Sequence, residues 1–184
     1  MSSQINFEEF KRLLISDPQL KTGCLVDTSI LFAVSYDLDS KNDIAVKIFE
    51  ELAKQKIPVY TNVNIRAEFL NNHLKVLIPE CIVDIHRDWA AQMPEPLANK
   101  LKSIRTTYNK KLEEKKVYKI ADDEKERIIK LFSSFTMVDD DRDGWQIFCE
   151  DYLRGKVEKI WEKAVDELGI NFIAIRDSEI HPLL

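Results

Sequence analysis

The strongest constraint on this chain is a pattern that occurs twice in its first half: a short apolar run of strand character followed by a segment with helical spacing. Cys24 to Val26 is one such run, and "IPVYT", residues 57–61, is the other. Between them "SKNDIAVKIFEELAKQKI" opens on Ser40 as an N-cap, carries Asp43 near the positive end of the helix dipole, and sets Ile44, Ile48 and Leu52 on one face. After the second run, "NVNIRAEFLNNHL" reads as a helix capped by Asn62, with Val63, Ala67 and Leu70 turned inward. Strand, helix, strand, helix is the order of a parallel α/β sheet, and the brevity of Cys24–Val26 predicts a central strand covered on both faces.

The flanking sequence extends this frame. Phe7, Phe10, Leu13 and Leu14 recur at helical spacing until Asp17 and Pro18 end the pattern, which predicts an amphipathic opening helix. Residues 77–135 are mostly helical in pattern and strongly charged, with no core strand, and read as a helical insertion in a single domain of 184 residues. From Asp139 on, "DRDGWQIFCEDYLRGKVEKIWEKAVDELG" predicts one long helix, or two joined near Gly155, and "INFIAI" predicts a last core strand ending just before Asp177. A formal charge of -5 argues against bulk coating of nucleic acid or membrane. No segment is long and apolar enough to span a bilayer, and the N-terminus lacks a signal-peptide core. Cys24, Cys81 and Cys149 are too far apart for a zinc knuckle or a disulfide framework and read as small core residues, which points to a reducing cytoplasm.

Ligands of open parallel sheets bind beyond the carboxyl ends of the strands, and Asp27 and Asp177 stand at two such ends. Glu68 lies about two turns into the helix after the second strand, and Asp143 precedes the apolar pattern of Trp145, Ile147 and Phe148. Converging carboxylates raise one another's pKa and destabilise the fold unless a hard divalent cation joins them. Taken alone, an Asp after a short strand is more often a turn or helix cap than a ligand, and "VDDDRDG" also reads as a solvated loop whose acids favour the next helix N-terminus.

Read in order, "LVDTSIL", "YTNVNIRAEFL", an Asp at the start of a late helix, and "GINFIAIRD" resemble the PIN domain, a family of metal-dependent ribonuclease folds that includes many bacterial toxins of toxin–antitoxin pairs. The resemblance covers roughly residues 22–74 and 139–184. It implies a three-layer, Rossmann-like α/β fold, Mg²⁺ or Mn²⁺ as cofactor, and hydrolysis of RNA phosphodiester bonds. It implies metal ligation by Asp27, Glu68, Asp143 and Asp177. Asp139, Asp140, Asp141 and Asp151 compete with Asp143, and at the fourth position the Thr of the family's Thr-x-Asp is replaced by Ile175. Thr28 either bonds a carboxylate beside the metal or caps the following helix. Implied partners are RNA, a protein inhibitor or antitoxin, and a second copy in a homodimer.

Residues 100–119 hold eight Lys or Arg against two Glu, and Lys102, Arg105, Lys110 and Lys111 are candidates for contact with an RNA backbone, with Tyr108 and Tyr118 as stacking platforms. The plain alternative is a solvated helical face, with Glu113 and Glu114 pairing with neighbouring lysines. Trp89, Trp145 and Trp161 read as core or interface residues, and His73, His86 and His181 share no metal-ligand spacing. A phosphatase of the haloacid dehalogenase type needs a second Asp two residues after the first, where Ser29 stands. A PIN-like module that binds RNA without cutting it is the alternative from a different functional class.

Overall fold

The computed structural model describes residues 6–136 and 141–173. It is mostly helical, with a small three-stranded parallel sheet, as an α/β class requires. The chain divides into two compact units, Met1–Phe69 with Trp161–Leu184, and Leu70–Ile160. The helical insertion expected over 77–135 falls within the second unit, which extends beyond it at both ends.

In the first unit, α1 (Phe7–Ser16) is opened by Asn6, whose side chain accepts from the Glu9 N–H at 2.9 Å, and is closed where Asp17 and Pro18 leave the helix. Next come β1 (Cys24–Leu25), α2 (Thr28–Ser35), α3 (Asn42–Lys54) and β2 (Val59–Asn62). Strand β3 (Ile170–Ile173) completes a sheet of order β1-β2-β3, with Cys24 level with Val59 and Val59 level with Ile170. Gly23 permits the first pairing. Its φ of 129° is disfavoured for other residues, and an added Cβ would run into the Tyr60 ring and stand 2.9 Å from the Pro58 carbonyl, where the Cys24 N–H donates.

Four sequence expectations are corrected here. The central strand is β2, not β1: β1 is an edge strand and Leu25 is 59% exposed. The expected core strand over "INFIAI" is β3, an edge on the other side in which Ile170 is buried while Phe172 and Ile173 are exposed; Ile175 lies outside the described residues. In α3 the buried stripe is Ala45, Phe49 and Leu52, and Ile44 faces outward. The helix starts at Asn42 with Lys41 at the N-cap position and no side-chain cap from Ser40, and the Asn42 side-chain amide donates to the Ala33 carbonyl at 2.8 Å, near the end of α2. Its C-terminus is closed by Lys56 at φ 55°, with Ile57 N–H bonded to Leu52 and Lys56 N–H to Ala53, a Schellman arrangement.

The second unit contains most of α4 (Val63–Trp89), α5 (Glu95–Glu113), α6 (Asp122–Ser133), α7 (Gly144–Ile147), a π-helical turn (Phe148–Leu153) and the start of α8 (Arg154–Leu168). The late helical segment is therefore interrupted by the π turn before Gly155, whose Cα has open space around it. A π turn leaves backbone groups off the ordinary ladder, and here the Tyr152 carbonyl accepts from the buried Cys81 thiol at 3.2 Å. Pro79, inside α4, has no N–H to give to the carbonyl four residues earlier, that of Lys75. That carbonyl instead accepts from Ile120 N–H at 2.9 Å, which ties the segment between α5 and α6 to α4. A core of Ile82, Leu97, Leu101, Ile128, Phe132 and Phe148, each no more than 1% exposed, fills this unit. Trp89 and Trp145 pack against it, as expected of them.

His73 of α4 is 1% exposed, and its pKa is pushed from 6.5 down to about 4 by burial and then by the Lys119 charge. Between pH 6.5 and 4 the unfolded chain therefore binds a proton at this site that the folded chain refuses, so stability falls as pH is lowered through that window. The expected contribution is about 3 kcal/mol once the pH is below 4. The His73 ring resonances should stay in the neutral form from pH 7 down to 5 by NMR, with the urea midpoint falling over the same range; a ring that titrates near 6.5 would contradict this.

Candidate active site

Strands β1 and β2 both leave the sheet at their carboxyl ends through a residue that caps a helix. After β1 the chain passes Val26, whose N–H still donates to the Tyr60 carbonyl, and reaches Asp27 in extended backbone at φ -80°. Asp27 Oδ1 accepts from the Ser29 N–H at 2.8 Å and from the Ser29 hydroxyl at 3.0 Å, so it is the N-cap of α2. After β2, Asn62 Oδ1 accepts from the N–H groups of Asn64 and Ile65, both at 3.0 Å, and α4 begins. The expected Asn62 cap is present. The inward face of that first stretch is different: Phe69 is fully buried, while Val63 is 61% exposed and Ala67 is exposed. Phe69 packs edge-on against Trp161 at 5.4 Å between centroids, which sets the rotation of the helix and leaves Glu68 on its accessible side.

That rotation brings Glu68 to Thr28. The Thr28 hydroxyl, 4% exposed as a residue, donates to Glu68 Oε2 at 2.7 Å across 40 positions of sequence. The Thr28 hydroxyl is thus committed to a carboxylate, while Asp27 supplies the cap. Asp27 and Glu68 are both exposed, and neither has an ion-pair partner among the described residues. Oδ2 of Asp27 and Oε1 of Glu68 accept no protein hydrogen bond among those residues. On the same sheet Thr61 is fully buried and its hydroxyl has no hydrogen-bond partner among the described residues.

Of the remaining predicted ligands, Asp143 lies in the second unit and Asp177 lies outside the described residues. Asp143 belongs to the second unit and caps α7: its Oδ1 accepts from Gln146 N–H at 2.8 Å while the Gln146 side chain accepts from Asp143 N–H at 3.0 Å. This is the helix-cap alternative that the acidic loop allowed. Asp151 is held by Arg142 through two parallel hydrogen bonds of 3.0 and 3.1 Å, and Arg142 also reaches Glu150 at 2.7 Å. Asp141 is exposed. Asp139, Asp140 and Asp177 lie outside the described residues. Among the described residues no group of three His, Cys, Asp or Glu side chains is placed to hold a metal.

Two exposed carboxylates, each with one oxygen that has no protein partner and no cation beside it among the described residues, fit a hydrated Mg²⁺, which takes one or two protein carboxylates and keeps several waters. The sequence pattern singles out Asp27, Thr28 and Glu68 but not one further residue that bonds Asp27. Ser29 adds a second donor to Asp27, a signal present in the Asp-x-Ser spacing. In the second unit, Arg142 pairs with Asp151 nine residues on, which no local signal announces.

No family model matches the chain, and no curated protein or solved structure matches it. Among the described residues no helix is long and apolar enough to cross a membrane.

Proposed function

We propose that the chain is a PIN-like, Mg²⁺- or Mn²⁺-dependent ribonuclease that hydrolyses RNA phosphodiester bonds at Asp27 and Glu68. The observation that carries this reading is the hydroxyl bridge from Thr28, adjacent to Asp27, to Glu68. It links the acid that ends the first strand with the acid two turns into the helix after the second, at the carboxyl edge of a parallel sheet.

In this reading Asp27 and Glu68 would hold the cation, while Ser29 and Thr28 fix the orientation of the two carboxylates by bonding one oxygen of each. A bound Mg²⁺ or Mn²⁺ supplies Lewis acidity toward the phosphate and the attacking water. Asp177 is the proposed further ligand.

The competing reading is an RNA-binding module without cleavage. Incubation of the purified protein with a mixed pool of structured and single-stranded RNAs separates the two. The nuclease reading expects cuts with Mn²⁺ or Mg²⁺ that vanish in EDTA, and the mapped ends would reveal the preferred substrate. RNA binding without cuts in either metal would favour the module.

A further inference from the structure

The basic run of α5 is not uniform. Lys100 pairs with Glu124, Lys111 lies 3.9 Å from Glu114, and Lys116 lies 3.0 Å from the same acid. Lys102, Arg105 and Lys110 form no ion pair among the described residues. They are also the three that share a surface. Positions 102, 105, 106, 109, 110 and 113 follow helical spacing along one stripe of α5, beside the buried stripe of Leu97, Leu101 and Ile104. Together with His86 of α4 they line a cleft whose single acid is Glu113.

Like charges three residues apart on a helix destabilise it, so Lys102 and Arg105 hold an unneutralised positive field in a concave place. His86 reports that field. Arg105 Nη1 stands 3.4 Å from His86 Nδ1, and the ring's pKa is lowered by burial and then by the charges of Arg105 and Lys102. With Nδ1 accepting from the guanidinium, the ring proton sits on Nε2 and remains available as a donor. The Thr106 hydroxyl is already committed to the Lys102 carbonyl at 2.9 Å, whereas the Asn109 amide has no such commitment among the described residues. The C-terminal end of α5, near Lys110, carries the negative end of the helix dipole and disfavours an anion there. The favourable seat is the end bounded by Lys102, Arg105 and His86.

We infer that this cleft between α4 and α5 is a phosphate-binding subsite, with Arg105 and Lys102 as the charged clamp and His86 and Asn109 as neutral donors. Guanidinium geometry suits two phosphate oxygens at once, and Lys102 adds a point charge. The group can come from an RNA backbone or from a small phosphorylated molecule, and the shared chemistry is the phosphate. Lys111, placed with the other candidates by sequence, is outside this cleft and paired with Glu114. The inference stands on the second unit alone and holds whether or not Asp27 and Glu68 support cleavage.

The test uses the full chain in EDTA, so that no metal-dependent cutting intervenes. A fluorescein-labelled single-stranded RNA dodecamer, a nucleoside 5′-monophosphate and inorganic phosphate are titrated separately against wild type, Lys102→Ala/Arg105→Ala and Lys111→Ala. Wild type and Lys111→Ala should bind at least one probe equally, and the double variant should bind it at least about tenfold more weakly. If RNA is the source, the double variant should also lose about 1.4 from the slope of log affinity against log salt, two phosphates' worth for a single strand. Tight binding of the monophosphate or inorganic phosphate without RNA binding assigns the cleft to a small molecule. His86 ring resonances should shift on adding the bound probe. Equal binding by the double variant with its melting temperature unchanged, or no binding of any probe by wild type, would overturn the inference.

Discussion

Asp27→Asn is expected to lower metal-dependent RNA cleavage by at least about 1000-fold, equivalent to roughly 4 kcal/mol of transition-state stabilisation, while leaving folding stability within about 0.5 kcal/mol of wild type. The two halves of this expectation come from two oxygens of one side chain. Oδ1 caps α2 by accepting from Ser29, and asparagine caps a helix about as well as aspartate because its amide oxygen can take the same position. The substitution therefore removes the negative charge that a divalent cation needs without removing the cap. Asp27→Ala removes both and should in addition cost about 1 kcal/mol of stability. Glu68→Gln is the matching experiment on the other carboxylate, since an amide oxygen still accepts from the Thr28 hydroxyl. Cleavage in Mn²⁺ and chemical unfolding are measured on all three variants. Full activity in Asp27→Asn would end the metal-site reading, and a stability loss in Asp27→Asn as large as in Asp27→Ala would show that the charge itself serves the fold.

Phe132→Ala should destabilise the second unit by about 3–5 kcal/mol. The ring is fully buried, stacks on Phe148 at 5.1 Å between centroids and meets Trp145 at 6.2 Å. The surroundings have little freedom to collapse into the space. Phe132 also supplies the carbonyl that an added Cβ on Gly144 would meet at 2.8 Å, so the α6–α7 approach is already at contact distance. Phe132→Leu keeps most of the volume and should cost about 1–1.5 kcal/mol. Denaturant midpoints report the loss, and the near-ultraviolet signal of Trp145 should change along with them. A cost below about 1 kcal/mol for the alanine variant would mean that this aromatic cluster is not the packed centre of the unit.

Much of the candidate site was readable from local signals. An aspartate at the end of a short apolar run, followed by a serine two residues on, encodes a cap within three positions, and Asn62 does the same for α4. Glu68 was legible because strand and helix lengths place it about two turns in. The same local logic offered two meanings for Asp143, and the structure shows the cap, closed by Gln146. Which meaning holds depends on what else arrives at the carboxylate, and nothing within a few residues says so.

The sequence by itself determined the kinds of element and several of their ends, because helical period, capping residues and Pro or Gly positions act through neighbours on the chain. It also placed Asp27 at the exit of one strand and Glu68 in the helix that follows the next. Only the tertiary structure decided that β1 lies at an edge, that Phe69 rather than Val63 turns inward, and that Thr28 meets Glu68. It alone decided that Ile120 answers the carbonyl freed by Pro79, and that His86 faces Arg105. Each of these is a contact between residues distant in sequence, and its free energy depends on which other surfaces are covered at the same time. That condition exists only after the chain has packed.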